Sequence, residues 1–270
     1  MSELKAERRP GPEQEIEHEI RRMTRRSFAW GAAAAVAGLA GWGWLRTRPV
    51  DGGIPWPLRR VLEFNEGLSR AFFNEARLAT TFPVERAREP RVNGRIGLGE
   101  SFDPAKWYLR VEGSGEQAAT LRLGLDDIKA LPRTETVTEL KCIEGWSEVV
   151  HWAGARFADF AAKYGPAVGA GTLAVTERKP KGRCDYVGLE TPNGEYYVGF
   201  DIESALHPQT LLCYEMNGQS LTPAHGAPLR LFTPVKYGIK SIKRIGTIRF
   251  TNQRPADYWA ERGYDWYAGQ

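Results

Sequence analysis

Apolar and polar positions alternate in different rhythms along this chain. Residues 1–26 are polar and highly charged with both signs mixed. An uncharged apolar run rich in Ala and Gly follows over 28–45, closed by Arg46 and Arg48. Residues 46–60 hold Pro49, Gly52, Gly53, Pro55 and Pro57, which predicts an extended linker. Over 61–79 the apolar positions recur at helical spacing, predicting a helix or two. Residues 80–99 read as loop. Strand-like alternation predicts strands at 107–112, 120–125 and 134–141, the last running directly into Cys142. Short helices are expected at 126–131, after an acidic pair, and at 156–164, where Gly165-Pro166 is the stop. Further strands are expected at 172–176, 196–201, 211–216, 229–233 and 245–250, with a short acidic helix start at 201–205. Strands mixed with short helices and no βαβ regularity predict an α+β fold with mixed sheets. The aromatic tail at 257–267 is expected to pack back on the domain.

The N-terminal run carries a second signal. Thr24-Arg25-Arg26-Ser27-Phe28 sets paired arginines ahead of a mildly hydrophobic stretch, which resembles a twin-arginine export signal. A basic flank before an ordinary membrane helix is the alternative. Ala35-Val36-Ala37 has the small-x-small pattern of a cleavage site but lies inside the apolar run. Eighteen apolar residues reach the lower range for spanning a bilayer, roughly 17–25 residues. Residues 1–45 are therefore expected to be a twin-arginine signal or a signal anchor, 46–60 a linker, and 61–270 the functional domain.

Composition narrows the classes. The chain has 270 residues, 42% hydrophobic and 26% charged, enough for one sizeable core. A net charge of +4 is no nucleic-acid signature. Three cysteines, Cys142, Cys184 and Cys213, do not make a disulfide framework and leave at least one thiol free.

Two segments carry candidate chemistry. Cys142 sits where a strand ends and a loop begins, in Glu139-Leu140-Lys141-Cys142-Ile143-Glu144-Gly145-Trp146-Ser147. It is either a small core residue or a metal ligand, and Lys141 beside it is expected to favour the thiolate. His225, Arg230, Lys236, Lys240 and Lys243 put five potential cations within nineteen positions, broken by glycines and prolines. Such a loop can wrap an anion such as a phosphate, or it can be a solvated basic surface.

Together, the Cys142 segment and the segment 217–243 resemble the molybdopterin-binding domain of the sulfite oxidase family. They are similar in particular to its bacterial periplasmic branch, which includes the catalytic subunit of protein-methionine-sulfoxide reductase. The resemblance covers roughly residues 60–260. It rests on the Asn217 turn, the His-Gly-x-Pro-x-Arg run at 225–230, Pro234, and Lys-x-x-Lys at 240–243. It implies the sulfite oxidase-type fold and one molybdenum-molybdopterin per chain, with Cys142 as the metal-ligating and catalytic residue. It also implies that His225, Arg230 and Lys243 hold the pterin and its phosphate, with Lys240 and Ser241 near the same cofactor and Tyr237 and Gly238 shaping the loop. Asn65 is similar to an asparagine that the branch places near the metal. His207 matches a recurrent His-Pro without an assigned role, and Cys184 and Cys213 match nothing catalytic.

One departure bears on substrate. Sulfite-oxidising members carry arginines shortly after the metal cysteine, where this chain has Glu144 and Glu148. An acidic wall repels a dianion. The expectation is two-electron oxygen-atom transfer from a sulfoxide or similar oxide, a small-molecule or methionine-sulfoxide-type substrate, with Trp146 and Trp152 suiting a neutral group. No Cys-x-x-Cys-His haem motif is present, so the resemblance implies a membrane haem protein or a soluble cytochrome as electron partner, in the periplasm. Sulfite or another small sulfur compound is the second reading, with Arg178 or Arg183 as rescuing cations. A cofactor-free membrane-tethered binding module is the third.

Overall fold

The computed structural model describes residues 12–51, 53–99, 102–113, 119–171 and 183–270, with residues 12–20 described by backbone alone. The strand expected at 172–176 and Arg178 lie outside them. The chain divides into two compact units, essentially residues 1–51 and 59–270.

The first unit is one helix, α1 (Pro12–Arg46). Within it Arg21–Arg46 is long and apolar enough to cross a membrane, and none of it is buried. At 1.5 Å per residue that stretch is about 39 Å long. Its last turn closes on itself, with the Thr47 hydroxyl donating to the Trp44 carbonyl at 2.7 Å and Arg48 lying over the Trp44 ring.

Helix α2 (Trp56–Phe72) starts inside the expected linker and stops before the expected end of the helix. Pro57 falls in its first turn, where a missing N–H breaks no intrahelical bond. Asn74 ends the helical path by accepting the Ala76 N–H on its side-chain oxygen.

The second unit is built on β1 (Leu109–Glu112), β2 (Thr120–Leu123), β3 (Arg133–Lys141), β4 (Ser147–Arg156), β5 (Tyr186–Glu190), β6 (Tyr197–Asp201), β7 (Leu211–Met216), β8 (Gln219–Ser220), β9 (Arg230–Phe232) and β10 (Thr247–Thr251). Helices α3 (Leu125–Lys129), α4 (Phe157–Tyr164) and α5 (Ile202–Ala205) fall between them. One sheet runs β8-β7-β4-β3, with β9 also paired to β7. The other runs β2-β1-β10-β5-β6 and is mixed, since β10 is parallel to β1 and antiparallel to β5.

Strands β4, β5 and the two-residue β8 escaped the pattern. The run β4 reads Ser-Glu-Val-Val-His-Trp-Ala-Gly-Ala-Arg without alternation, because Trp152, Ala153, Gly154 and Ala155 are all buried. A strand between two others with both faces covered has no polar side to alternate with. The short β5 was not signalled either.

The largest apolar cluster draws from both sheets and from α3 and α4: Leu109, Val111, Ile128, Phe157, Phe160, Val187, Phe200, Leu231, Ile248 and Phe250 are essentially sealed, and a second cluster gathers Val150, Trp152, Leu211, Met216 and Phe232. The tail packs back as expected. Trp266 is buried and donates to the Pro255 carbonyl at 2.9 Å, and Gly199 makes room for its ring.

Candidate cofactor site

Strands β3 and β4 pair over nine positions, from Arg133 opposite Ala155 to Lys141 opposite Ser147. The five residues between them form the hairpin loop headed by Cys142, whose N–H bonds the Trp146 carbonyl at 2.8 Å. Gly145 takes φ +91°, the left-handed conformation that closes the loop without a Cβ penalty. The longest strand pair of the sheet thus holds Cys142 rigidly at its end.

Three further stretches converge on this loop and enclose a cleft of about 180 Å³. The segment 225–243 contributes His225, Arg230, Gly238, Ser241 and Lys243. The irregular stretch before β1 contributes Arg91, Asn93 and Ile96, and the tail contributes Trp259 and Tyr264. A Cβ on Gly238 would stand 3.3 Å from the Lys141 carbonyl and 3.9 Å from the Cys142 Cα, so this glycine lets two cleft walls meet.

The cleft's polar atoms are conspicuously short of protein partners. His225 Nε2, Arg230 Nε and Ser241 Oγ are buried with no hydrogen-bond partner among the described residues. Leaving such groups unsatisfied costs roughly 1–3 kcal/mol each. Burial, then the charges of Arg230 and Lys243, lower the His225 pKa, so the imidazole is neutral near pH 7. Burial lowers Arg230 to about 10, and among the described residues its amino groups reach only the carbonyls of His225 (3.1 Å) and Ser241 (3.3 Å). Lys243, lowered to about 8 by burial and then by Arg230, donates to the carbonyls of Asn93 (2.6 Å), Gly94 (3.1 Å) and Ala224 (3.1 Å). Cations satisfied only by carbonyls, beside orphaned donors, form a cradle for an anionic group rich in hydrogen-bonding atoms.

Cys142 is half-buried on the same wall. Its pKa is raised, chiefly by burial, with the Glu144 carboxylate adding to it. Lys141, expected to favour the thiolate, is exposed and is not among the groups that shift this thiol. The Asn93 amide lies 3.8 Å from the Cys142 sulfur and 3.3 Å from Glu144, which also accepts from the Trp146 indole at 3.0 Å.

Several expected residues stand elsewhere. Asn65 is exposed on α2 and does not line the cleft; Asn93 occupies the place beside the thiol. Lys240 is buried in an ion pair with Asp257 at 2.5 Å, and Lys236 faces Asp201 at 3.5 Å. The five-cation run is thus divided, with His225, Arg230 and Lys243 in the cleft and the two lysines behind it. Tyr237 stands outside the cleft lining and supports the loop, its N–H bonding the Ala268 carbonyl at 3.0 Å. Trp152 is sealed in the core, stacked on Phe232 at 4.9 Å, so only Trp146 of the expected pair lines the cleft. Arg183 pairs with Glu203 at 2.6 Å outside the cleft. His207 is buried and stands outside the cleft lining: it accepts the Gln209 N–H on Nδ1, leaving Nε2 to donate to the Arg77 carbonyl. Cys184 and Cys213 are buried free thiols, raised by burial to about 11 and about 12.

Asn93 and Arg91 came from a stretch read simply as loop. Its length was the available clue, since irregular runs beyond about 12–15 residues in a compact domain are usually functional.

Comparison with known proteins agrees with this chemistry. Residues 97–259 match the family model described as "Oxidoreductase molybdopterin binding domain". The YedZ1 subunit of Azospira oryzae, whose name assigns it provisionally to protein-methionine-sulfoxide reductase, is 32% identical over 224 residues, 81% of this chain and 78% of that one. The protein-methionine-sulfoxide reductase catalytic subunits MsrP of Xanthomonas campestris pv. campestris and Campylobacter jejuni subsp. jejuni are 35% and 34% identical over 57% and 64% of this chain. The match spans 47% and 59% of their own length. The crystal structure of the sulfane dehydrogenase SoxCD from Paracoccus pantotrophus aligns at a TM-score of 0.46 and 16% identity, covering 67% of this chain and 46% of that one, too distant to bear on activity. With more than half of its length matched by the family model, the chain belongs to the oxidoreductase molybdopterin-binding domain family, the sulfite oxidase type.

Proposed function

We propose that this protein is an exported molybdenum-cofactor oxidoreductase that removes the oxygen atom from a sulfoxide of the methionine-sulfoxide kind. The observation that carries the reading is the convergence of three orphaned polar atoms, on His225, Arg230 and Ser241, with the Cys142 thiol in one cleft. Cys142 would ligate the metal as its thiolate, one metal per chain. Arg230, Lys243 and Ser241 would hold the phosphate and pterin, and neutral His225 would hydrogen-bond the ring system. When bound, the group supplies two-electron oxygen-atom transfer; the protein supplies orientation, electrostatics and access.

The chain's own residues favour a neutral substrate. Trp146, Trp259, Tyr264, Ile96, Ile143 and Ile239 make an apolar surround that limits water. Glu144 adds negative charge at the Cys142 loop. Arg91 gives the sulfite reading a guanidinium at the cleft, but Glu148 faces it at 3.7 Å and accepts its backbone N–H at 2.8 Å. This pairing offsets the Arg91 charge, and Arg230 and Lys243 would be engaged by the cofactor, so neither is left to dock a dianion.

The paired Arg25 and Arg26 at the start of the apolar run support export by the twin-arginine route, which carries folded, cofactor-loaded proteins. Residues 1–45 then act as signal or as anchor. Electrons would come from a membrane haem protein or a soluble cytochrome. The names of the relatives support the sulfoxide substrate.

Elemental analysis of the full-length exported protein tests the cofactor. About one molybdenum per chain, lost or spectroscopically altered in Cys142→Ser, is expected. Turnover of methionine sulfoxide but not sulfite is expected from the loaded protein with an artificial reductant. Folded, exported protein devoid of molybdenum would overturn the reading and leave a binding module.

A further inference from the structure

Helix α2 is turned inside out for a surface helix in water. Its inward face carries charged groups beside half-buried Leu62. Glu66, 8% exposed, pairs with Arg70 at 3.1 Å and with Arg254 at 2.6 Å. Arg70 lies over the rings of Trp266 and Tyr267, and Arg59 donates to the Ala260 carbonyl at 3.0 Å. The outward face is apolar. Val61, Phe64, Leu68 and Phe72 are 54%, 70%, 49% and 74% exposed. Spaced by three, four and four positions, they form one continuous stripe. A helix on a water-soluble fold shows the reverse arrangement, with its apolar stripe toward the core. A stripe of large side chains left uncovered marks a surface that meets another apolar phase.

The chain itself indicates which phase. The membrane-length stretch Arg21–Arg46 ends ten residues before Trp56. Ten residues reach at most about 35 Å. If α1 crosses a bilayer, α2 cannot leave its neighbourhood, and lipid is the apolar phase always within reach. Trp42 and Trp44, exposed near the end of α1, are the residue type that settles at the headgroup level.

We propose that α2 lies in the plane of the membrane surface, with Val61, Phe64, Leu68 and Phe72 set into the boundary between headgroups and acyl chains. The occupant of the stripe is lipid, and the helix seats the catalytic domain on the bilayer. This rests on the anchored form of the reading above, in which residues 1–45 stay attached.

The test uses the full-length protein in nanodiscs of pure phospholipid. Nitroxide labels are placed singly at Phe64→Cys, Leu68→Cys and, as a water-facing reference on the same helix, Glu63→Cys. The parent chain, labelled alongside, gives the background from half-buried Cys142. The expected result is a ratio of oxygen to nickel-chelate accessibility several-fold higher at 64 and 68 than at 63. Equal ratios at all three positions would place the stripe in water and overturn the proposal. Exclusion of both reagents at 64 and 68 would mean that protein, such as a second copy, covers the stripe, and would overturn it equally. A further label at Val36→Cys reads α1 by itself. Lipid exposure at 36 with water exposure at 64 refutes the seat while leaving the anchor standing; water exposure at both refutes the anchor too.

Discussion

The guanidinium of Arg230 stands 4.6 Å from the centroid of the Trp152 ring, with no carboxylate within ion-pair distance among the described residues. Trp152 is itself stacked on Phe232, so the cation sits on a rigid aromatic floor. A buried charge without a counter-ion is costly in the empty protein and becomes favourable when an anion arrives. On the proposed function, the arrangement serves binding rather than stability.

That distinction can be measured with Arg230→Met. Charge-assisted hydrogen bonds contribute about 1.5–3 kcal/mol each, so cofactor retention should fall by ten- to a hundredfold. The cofactor-free variant should unfold in urea at the same midpoint as the cofactor-free parent, or later. A strongly destabilised empty variant would show instead that the guanidinium supports the fold.

Asn93 and Asn65 give a matched pair. Asn65→Ala should change stability by no more than about 0.5 kcal/mol, as exposed substitutions usually do, and leave the molybdenum spectrum untouched. Asn93→Ala removes the amide beside the Cys142 sulfur and should shift the electron paramagnetic resonance signal of the metal with the fold intact. Identical spectra from the two variants would remove Asn93 from the site.

Gly226 is held at φ +95°, where an added Cβ would stand 2.7 Å from the Lys243 Cβ and 2.8 Å from the Arg244 nitrogen. Left-handed backbone and overpacking together make Gly226→Ala cost about 2–4 kcal/mol. Thermal unfolding should show a clear loss, and molybdenum content should fall with it because Lys243 is displaced. Gly67 in α2 has open space around its Cα, so Gly67→Ala should instead stabilise by about 0.5–1 kcal/mol.

Lys236 makes stability depend on pH with a definite sign. Burial lowers its pKa from 10.5 to about 7, with Lys240 and Arg70 pushing the same way and Asp201 opposing. Between those values the unfolded chain binds more protons than the folded one, so unfolding free energy rises with pH. Below about pH 7 the penalty for the buried ammonium is fully present; it fades as pH climbs toward 10.5. Urea titrations at pH 6, 7.5 and 9 should show a steeper rise for the parent than for Lys236→Met. Parallel curves would mean that the ammonium stays charged throughout.

Much of this protein was written in local pattern. Strands β3, β7, β9 and β10 and helices α4 and α5 follow from periodicity and stop signals, because each has one face or one turn that sequence can mark. The site's two anchors were equally legible. Cys142 stands at a strand end, and the Gly- and Pro-broken run 225–243 carries His225, Arg230 and Lys243. The mixed α+β class and the free thiols followed from the same reading.

Tertiary structure decided the rest, for one physical reason: long-range pairing is invisible to a local period. Strand β4 is covered on both faces, so its pattern does not alternate. Lys236 and Lys240 are as basic as Lys243, yet Asp201 and Asp257, brought in from distant positions, draw them behind the cleft. Asn93 reaches the Cys142 sulfur from 49 positions away, held by Lys243 gripping its carbonyl across 150. The sequence by itself determined which chemistry is available, a thiol and a set of cations. Only the packing of the two sheets and the tail determined which of those groups stay unpaired and so remain to bind a cofactor.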